Sequence, residues 1–415
     1  MSEGRDGKSD TIADQPNGEA SGLHFALIVP VWGDHHTGLF LRYCVPFLLT
    51  DGNVGAFADS SLQIHVVSRR VDIDRMRQNI TYQRLAREVA IVETIIDGRV
   101  DLTIPHRAMT ECYALVLRSL PASNSVITIF LTPDCVLSRN ALRSVVRQIE
   151  QGTRAVMVCG LRLTLETAGP ALDRVLSASG MAGRIAEREL TALALEHLHP
   201  MSLGYDVASS EFNYTWPSHL YWIAPDRRWL VAHCFHLHPL AIRGIPDKIE
   251  INTTIDGDYL INLGFGQRDF LICANSDDIL CIELSPEVKE KSTVAGPLTM
   301  RALVRFSVAG CNVWHRMFFE TPILFRGLNE PVIPESVENE ARAIAAAVKR
   351  GSVVEAARHS AILAVRRSPR LERIARIAVR SFRVCFSGAQ HLFKSGCEAA
   401  RRLTARCTAS GPGGI

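Results

Sequence analysis

Long apolar runs are missing from this chain. No stretch of about 18 consecutive apolar residues occurs among its 415 residues, which argues against a membrane-spanning helix. The opening MSEGRDGKSDTIADQPNGEASG is polar and lacks an apolar core, so residues 1–22 are expected to be a disordered tail and not a signal peptide. Paired cysteines are missing too. The 11 cysteines are odd in number and contain no C-x-x-C, which argues against a disulfide framework or a zinc module and favours reduced thiols in the cytosol. No G-x-G-x-x-G follows the first apolar run, and no G-x-x-x-x-G-K-[ST] occurs, which weakens a dinucleotide or P-loop reading. The G-x-S-x-G elbow of α/β-hydrolases and the H-E-x-x-H of zinc hydrolases are also absent.

What is present is enough apolar material for a sizeable core, 47% of the chain against 21% charged residues, spread by length over two or three folding units. The net charge of +3 hides an asymmetry. Residues 342–406 hold 15 Lys/Arg against Glu355, Glu372 and Glu398, a net +12 that leaves −9 for the rest. A mildly acidic body therefore carries a strongly basic tail.

Apolar runs alternate with helical patterns. FALIVPVW (25–32), LQIHVVS (62–68), VAIVETI (89–95), SVITIFL (125–131) and RAVMVCGLRLT (154–164) have the composition of buried strands. Between them lie helical patterns over 38–49, 72–88, 106–120 and 138–152, the last with Ser138 as N-cap and Gly152 as terminator. This alternation predicts an α/β fold, a doubly wound sheet with helices on both faces. Ligands in such sheets sit beyond the carboxyl ends of the strands. Residues 32–36, 68–70, 97 and 132–138 are the ones so placed.

FALIVPVWGD and ITIFLTPDCVLSRNALRSVVRQIEQG resemble a GT-A-type, family-two-like nucleotide-sugar glycosyltransferase. The resemblance spans about residues 24–165, with a weaker continuation to about 285. It implies a GT-A-like sheet plus a C-terminal helical tail. The implied domains are the tail 1–22, a nucleotide-sugar half 23–165, an acceptor half 166–330 and a basic helical region 331–415. Pro30, Val31, Trp32 and Gly33 would line the nucleotide pocket with Arg69, and Arg107 would face phosphate. Asp134 matches the second acid of a D-x-D motif, while Thr132 stands where the first acid belongs. A single carboxylate can still hold a diphosphate-bound Mn²⁺ or Mg²⁺, because phosphate and water complete the shell. The competing reading makes Asp134 a turn cap after Pro133.

The window AHCFHLHPLAIRGIPDKIEINTTIDGDYL (232–260) holds three histidines and the IDGDYL stretch. The resemblance places the acceptor-activating carboxylate here. Asp258 would be the base of an inverting displacement, with Asp256 in support. An Asp-Gly-Asp surface turn is the alternative. In a strand His236 and His238 would share one face and His233 the other, so a three-histidine zinc site is not expected. His238, before Pro239, is the candidate third ligand to the metal; satisfied imidazoles in a strand are the alternative. Upstream, 204–229 is rich in aromatics, and Tyr214, Trp216 and Trp222 are candidate acceptor platforms or, alternatively, core.

The tail has the pattern expected of a basic amphipathic helix over 368–386, suited to an anionic membrane surface or to packing on the body. No nucleic-acid fold accompanies it. The expected protein is thus a cytoplasmic, membrane-peripheral hexosyltransferase of polysaccharide biosynthesis. It would move a sugar from a nucleotide-diphosphate donor to a saccharide or lipid-linked acceptor, without the Gln-x-x-Arg-Trp motif of processive relatives. The rivals are a non-catalytic binding or scaffold protein and a nucleotidyltransferase on the same fold.

Overall fold

The run at 25–32 lies where its composition demands, in the interior of a sheet and covered on both faces. In the computed structural model of the chain, residues 22–57, 61–178, 185–251, 254–287 and 295–366 are described, with backbone alone for Asp258 and 358–366. The strands are β1 His24–Pro30, β2 Ser61–Ser68, β3 Ala90–Ile95, β4 Val126–Phe130, β5 Cys135–Leu137, β6 Ala155–Val158 and β7 Gly160–Thr164. They continue as β8 Phe212–Asn213, β9 His219–Ile223, β10 Trp229–Cys234, β11 His238–Arg243, β12 Phe270–Ile272, β13 Cys281–Ser285, β14 Ala295–Gly296 and β15 Ile323–Arg326.

Seven strands form the main sheet in the order β12-β6-β11-β4-β1-β2-β3. All of them are parallel except β11, which is antiparallel to both β4 and β6. The expected α/β, mostly parallel sheet is therefore present. Helices fill its crossovers, as parallel pairs require. The sheet draws β1–β4 and β6 from residues 23–165 and β11 and β12 from beyond them, so the two proposed halves share one layer. A three-stranded sheet, β15-β10-β9, and a second, β5-β13-β7, accompany it. The chain divides into compact units Met1–Val348 and Lys349–Ile415, the first holding all fifteen strands.

Three local expectations change. The segment 154–164 is not one strand: it breaks at Cys159, with β6 in the main sheet and β7 in the β5-β13-β7 sheet. The helix over 72–88 is two, Arg70–Gln78 and Ile80–Glu88, because Asn79 takes an extended conformation. Its carboxamide oxygen then accepts from Thr81 N at 2.9 Å and caps the second helix. Ser138 does not cap the helix Ala141–Glu150; its hydroxyl accepts from Leu280 N at 3.0 Å. The cap comes from far away in sequence. Asn53, fully buried, accepts from Leu142 N at 3.0 Å and donates to Ser138 O at 3.0 Å. Gly52 adjoins it at φ +73°, and a Cβ there would lie 2.1 Å from Asn140 Oδ1, so only glycine fits.

No described helix is long and apolar enough to cross a membrane. The basic helix expected over 368–386 lies outside the described residues, as do residues 1–21.

Asn53→Ala leaves the buried Leu142 N–H without its acceptor and takes one donor from Phe47 O and from Ser138 O. The expected loss is about 2–3 kcal/mol of unfolding free energy. Urea denaturation checks it; a loss below about 0.5 kcal/mol would remove Asn53 from its capping role.

Candidate active site at the carboxyl edge of the sheet

Because β11 runs against its neighbours, its first residue lies at the carboxyl ends of β4 and β6 (His238 pairs with Val158). Pro239 in this internal strand cannot donate to the ladder, and the register shifts between Pro239 and Ala241. His238 is thereby set at the sheet edge with the segments that follow β1, β2, β4 and β6.

After β4 the chain runs Leu131, Thr132, Pro133, Asp134 and enters β5. Tyr113 fixes this passage by donating to Leu131 O at 2.9 Å. The strand β13 pairs with β5 and β7, which sets Glu283 opposite both Cys135 and Arg162. Arg162 Nη2 donates to Glu283 Oε1 at 2.8 Å. Burial, then the Glu283 charge, pushes the Asp134 carboxyl up to about 6, against hydrogen bonds from the Thr132 hydroxyl and Asp134's own N–H and the pull of Arg162. Burial lowers Arg162, but Glu283 outweighs it and holds the guanidinium above its usual range. Two carboxylates of one sign therefore meet here, with Thr132 as a hydrogen-bond donor in place of an acid.

That pair fits a divalent cation, because a carboxylate raised by a like neighbour is relieved by a positive ion. His238 Nε2 lies 2.6 Å from Phe130 O. A carbonyl only accepts, so Nε2 carries the proton and Nδ1 holds the lone pair. Among the described residues, the groups of three metal-capable side chains within 4.8 Å are Cys159/His219/Cys234 and His236/Cys311/His315. Neither contains Asp134 or His238.

The second cluster surrounds the turn Ile255–Tyr259. Asp256 Oδ2 accepts from His236 Nδ1 at 3.2 Å and lies 3.6 Å from His315 Nε2. His315 Nε2 donates to Asp256 O at 3.0 Å, while its Nδ1 accepts from Asn312 N. Burial would raise the Asp256 carboxyl, but His236, His315 and Thr254 outweigh it and hold it far below the usual range. His236 Nε2 is buried and has no partner. The Trp216 ring, 49% exposed, lies 5.3 Å from the His236 ring. The Asp256 carboxylate thus holds the proton of His236 on Nδ1 and leaves Nε2 as the unprotonated nitrogen. Asp258 belongs to the same turn; its side chain lies outside the described ones.

The remaining candidates are placed as follows. Pro30 ends β1, Val31 is fully buried, and Trp32 and Gly33 stand beyond the edge. Gly33, at φ +80°, donates to Asp72 Oδ2 at 3.0 Å, and Arg69 grips the same carboxylate at 2.6 and 3.0 Å. Arg69 is therefore already neutralised by an acid that is itself fully buried. Arg107 is solvent-exposed on the helix Pro105–Leu117 and pairs with Glu111 at 3.1 Å. Among the described residues no hydrogen bond or ion pair joins it to Asp134. Tyr214 is half-buried, with its ring 5.7 Å from Phe212. Trp222, 4% exposed, packs edge-on to His233 in the β9–β10 core and presents no surface to an acceptor. His233 is equally buried and bonds Phe319 O at 2.8 Å. Two surface clefts, one lined by Asp226, Arg228 and Trp229 and one by His35, Arg42 and Asp173, involve none of these residues.

Sequence reasoning missed Glu283, Arg162 and His315, and it weighed His236 but chose His238 instead. A lone acid in the apolar strand CIELS was the available sign for Glu283. Nothing local marks His315, which is recruited by Asp256 from 59 residues away.

No protein-family model matches the chain, and no curated protein matches it. Among solved structures it is similar to mouse xyloside xylosyltransferase 1 in its apo form, at 11% identity over 37% of this chain and 58% of that one, TM-score 0.25. It is similar to the mannosyltransferase PcManGT from Pyrobaculum calidifontis, solved with GDP-Man and Mn2+, at 11% identity over 85% and 83%, TM-score 0.31. It is also similar to 4-diphosphocytidyl-2C-methyl-D-erythritol synthase from Anaerococcus prevotii, at 14% identity over 34% and 56%, TM-score 0.23. The chain spans less than two thirds of the xylosyltransferase and of the synthase. At these TM-scores the likenesses carry no weight for what this chain does.

The imidazoles of His233, His236 and His238 are all lowered, chiefly by burial. Their folded values lie below the unfolded value near 6.5, so the unfolded chain binds more protons below it. Their stabilising contribution is complete above about pH 6.5 and is lost as pH falls. Urea midpoints at about pH 7.5 and about pH 5.5 should show lower stability at the acid value. Equal midpoints in Asp134→Asn, which removes the raised carboxyl that acts in the opposite direction over this range, would contradict the burial of these rings.

Proposed function

We propose that this chain is a nucleotide-sugar glycosyltransferase acting by a single inverting displacement. The observation that carries the reading is the like-charged pair Asp134 and Glu283, with Arg162, beside His238 at the carboxyl edge of a mostly parallel sheet. This arrangement suits the diphosphate of a donor, and the Val-Pro-Val-Trp and Thr-Pro-Asp segments lie on the same edge.

In this reading Pro30 to Gly33 line the nucleotide side. Asp134 and Glu283 would hold Mn²⁺ or Mg²⁺, which would supply charge neutralisation for the diphosphate. Thr132 orients Asp134, and Arg162 balances Glu283. The acceptor hydroxyl oxygen attacks the anomeric carbon. The bond from that carbon to the β-phosphate oxygen breaks, and the nucleoside diphosphate leaves with the electron pair. The acceptor proton passes to His236 Nε2, with Asp256 stabilising the imidazolium that results. Trp216, beside His236, offers a flat apolar face to the acceptor sugar. Asp258, on the same turn, is the alternative base. The acceptor is a saccharide or lipid-linked saccharide, and the enzyme is non-processive.

A thermal-shift series with UDP, GDP, CMP and their sugars, with Mn²⁺ or with chelator, is the first test. A ligand at 100 times its Kd stabilises by about 2.7 kcal/mol. Once a donor is found, Asp134→Asn and Glu283→Gln are each expected to lower kcat by about 100-fold or more while the fold survives. Full turnover in both variants would reject the donor site. His236→Gln is expected to lower kcat by about 100-fold, and Trp216→Ala to raise the acceptor KM. An active His236→Gln beside an inactive Asp258→Asn would move the base to Asp258. Donor binding without any turnover would favour the non-catalytic reading, to which Thr132 lends its only support.

A further inference from the structure

Cysteine spacing argues against a zinc module, yet the tertiary structure gathers two cysteines and a histidine from three separate strand ends. Cys159 follows β6, Cys234 ends β10, and His219 begins β9. Cys234 and His219 are direct cross-strand partners. The Sγ atoms of Cys159 and Cys234 lie 3.5 Å apart, and a ligand atom of each of the three residues lies within 4.8 Å of the others. Both cysteines are buried, Cys234 completely, while His219 is half-buried at the rim.

Two sulfurs bound tetrahedrally at about 2.3 Å from one zinc are about 3.8 Å apart. The observed spacing is close to that and far beyond a disulfide bond of about 2.05 Å. Outer partners are in place as well. Ser218 Oγ lies 2.6 Å from His219 Nδ1, fixing the ring and leaving Nε2 as the ligating atom. The Tyr205 ring packs 5.1 Å from the His219 ring, and the Tyr221 hydroxyl lies 3.8 Å from Cys159 Sγ.

We propose that Cys159, Cys234 and His219 form a binding site for a thiophilic divalent cation of the zinc class. Two thiolates and one imidazole supply three tetrahedral ligands, and a water or the Tyr221 hydroxyl takes the fourth position. The ion tethers the end of β6 to the β9–β10 hairpin, three residues before Arg162. Binding expels the Cys159 and Cys234 thiol protons, so affinity falls as pH falls. This cation is distinct in chemistry from the oxygen-bound ion proposed at Asp134.

The test uses the full chain, reduced, stripped with chelator and desalted. Zinc is titrated against a chromophoric competitor, and Co²⁺ is added as the spectroscopic probe. The expected result is a thiolate-to-cobalt charge-transfer band that one equivalent of Zn²⁺ abolishes. Cys159→Ser and Cys234→Ser should each remove the band and weaken zinc at least about 10–100-fold, the loss that even an outer partner causes. Cys311→Ser, from the other His/Cys cluster, should leave the band intact. His219→Gln at the rim serves where a buried variant fails to fold, and should also weaken zinc. No band in the wild-type chain overturns the proposal. So does a band that Cys311→Ser removes and Cys159→Ser spares, or a Cys159–Cys234 disulfide that persists through reduction. None of these readouts depends on transferase activity, so the proposed function and this site can fail separately.

Discussion

The direction of one strand governs this molecule. β11 enters the main sheet between β4 and β6 and runs against both. Had it run parallel, its N-terminal end would lie at the opposite edge, and His238 with it. Antiparallel insertion instead delivers the start of β11, together with the preceding His236, to the carboxyl ends of β4 and β6. The ladder hydrogen bonds on both sides hold this placement, and the shift between Pro239 and Ala241 accommodates the missing proline N–H.

A second consequence follows from the break at Cys159. A continuous strand over 154–164 would keep Arg162 in the main sheet. The break sends β7 to a different sheet, where β13 sets Glu283 beside Arg162 and next to Asp134. The same break leaves Cys159 at a strand end, facing Cys234 and His219. Two clusters of different chemistry thus begin within four residues of chain. One is the oxygen-rich cluster proposed for the donor diphosphate and a hard cation, the other the sulfur-rich cluster proposed for zinc.

Burial then sets the protonation states. In the oxygen-rich site it works with the Glu283 charge and raises Asp134. Around Asp256 it works against the hydrogen bonds and loses, because His236, His315 and Thr254 all approach one carboxylate. Two acids in one chain are thereby separated in character, one raised toward its neutral form and one held as an anion that accepts from an imidazole.

Composition and periodicity determined the alternation of strands and helices, the mostly parallel layer, and the edge at which chemistry would gather. Those features are local: apolar runs must be buried, and crossovers between parallel strands require helices. Val31, Trp32, Gly33, Asp134 and His238 could be placed on that edge because each ends, follows or begins an apolar run, whereas Asp256 was named through the resemblance alone. Only the tertiary structure decided which of them meet. It sent Arg107 to solvent and Trp222 to the core, since a face of a helix or strand is buried by what packs on it. It brought Glu283 to Asp134, His315 to Asp256, Asn53 to the helix at Ala141, and Cys159 to Cys234. Each of these pairs joins residues far apart in sequence through strand order and register, which depend on the whole sheet and leave no mark in any short stretch of chain.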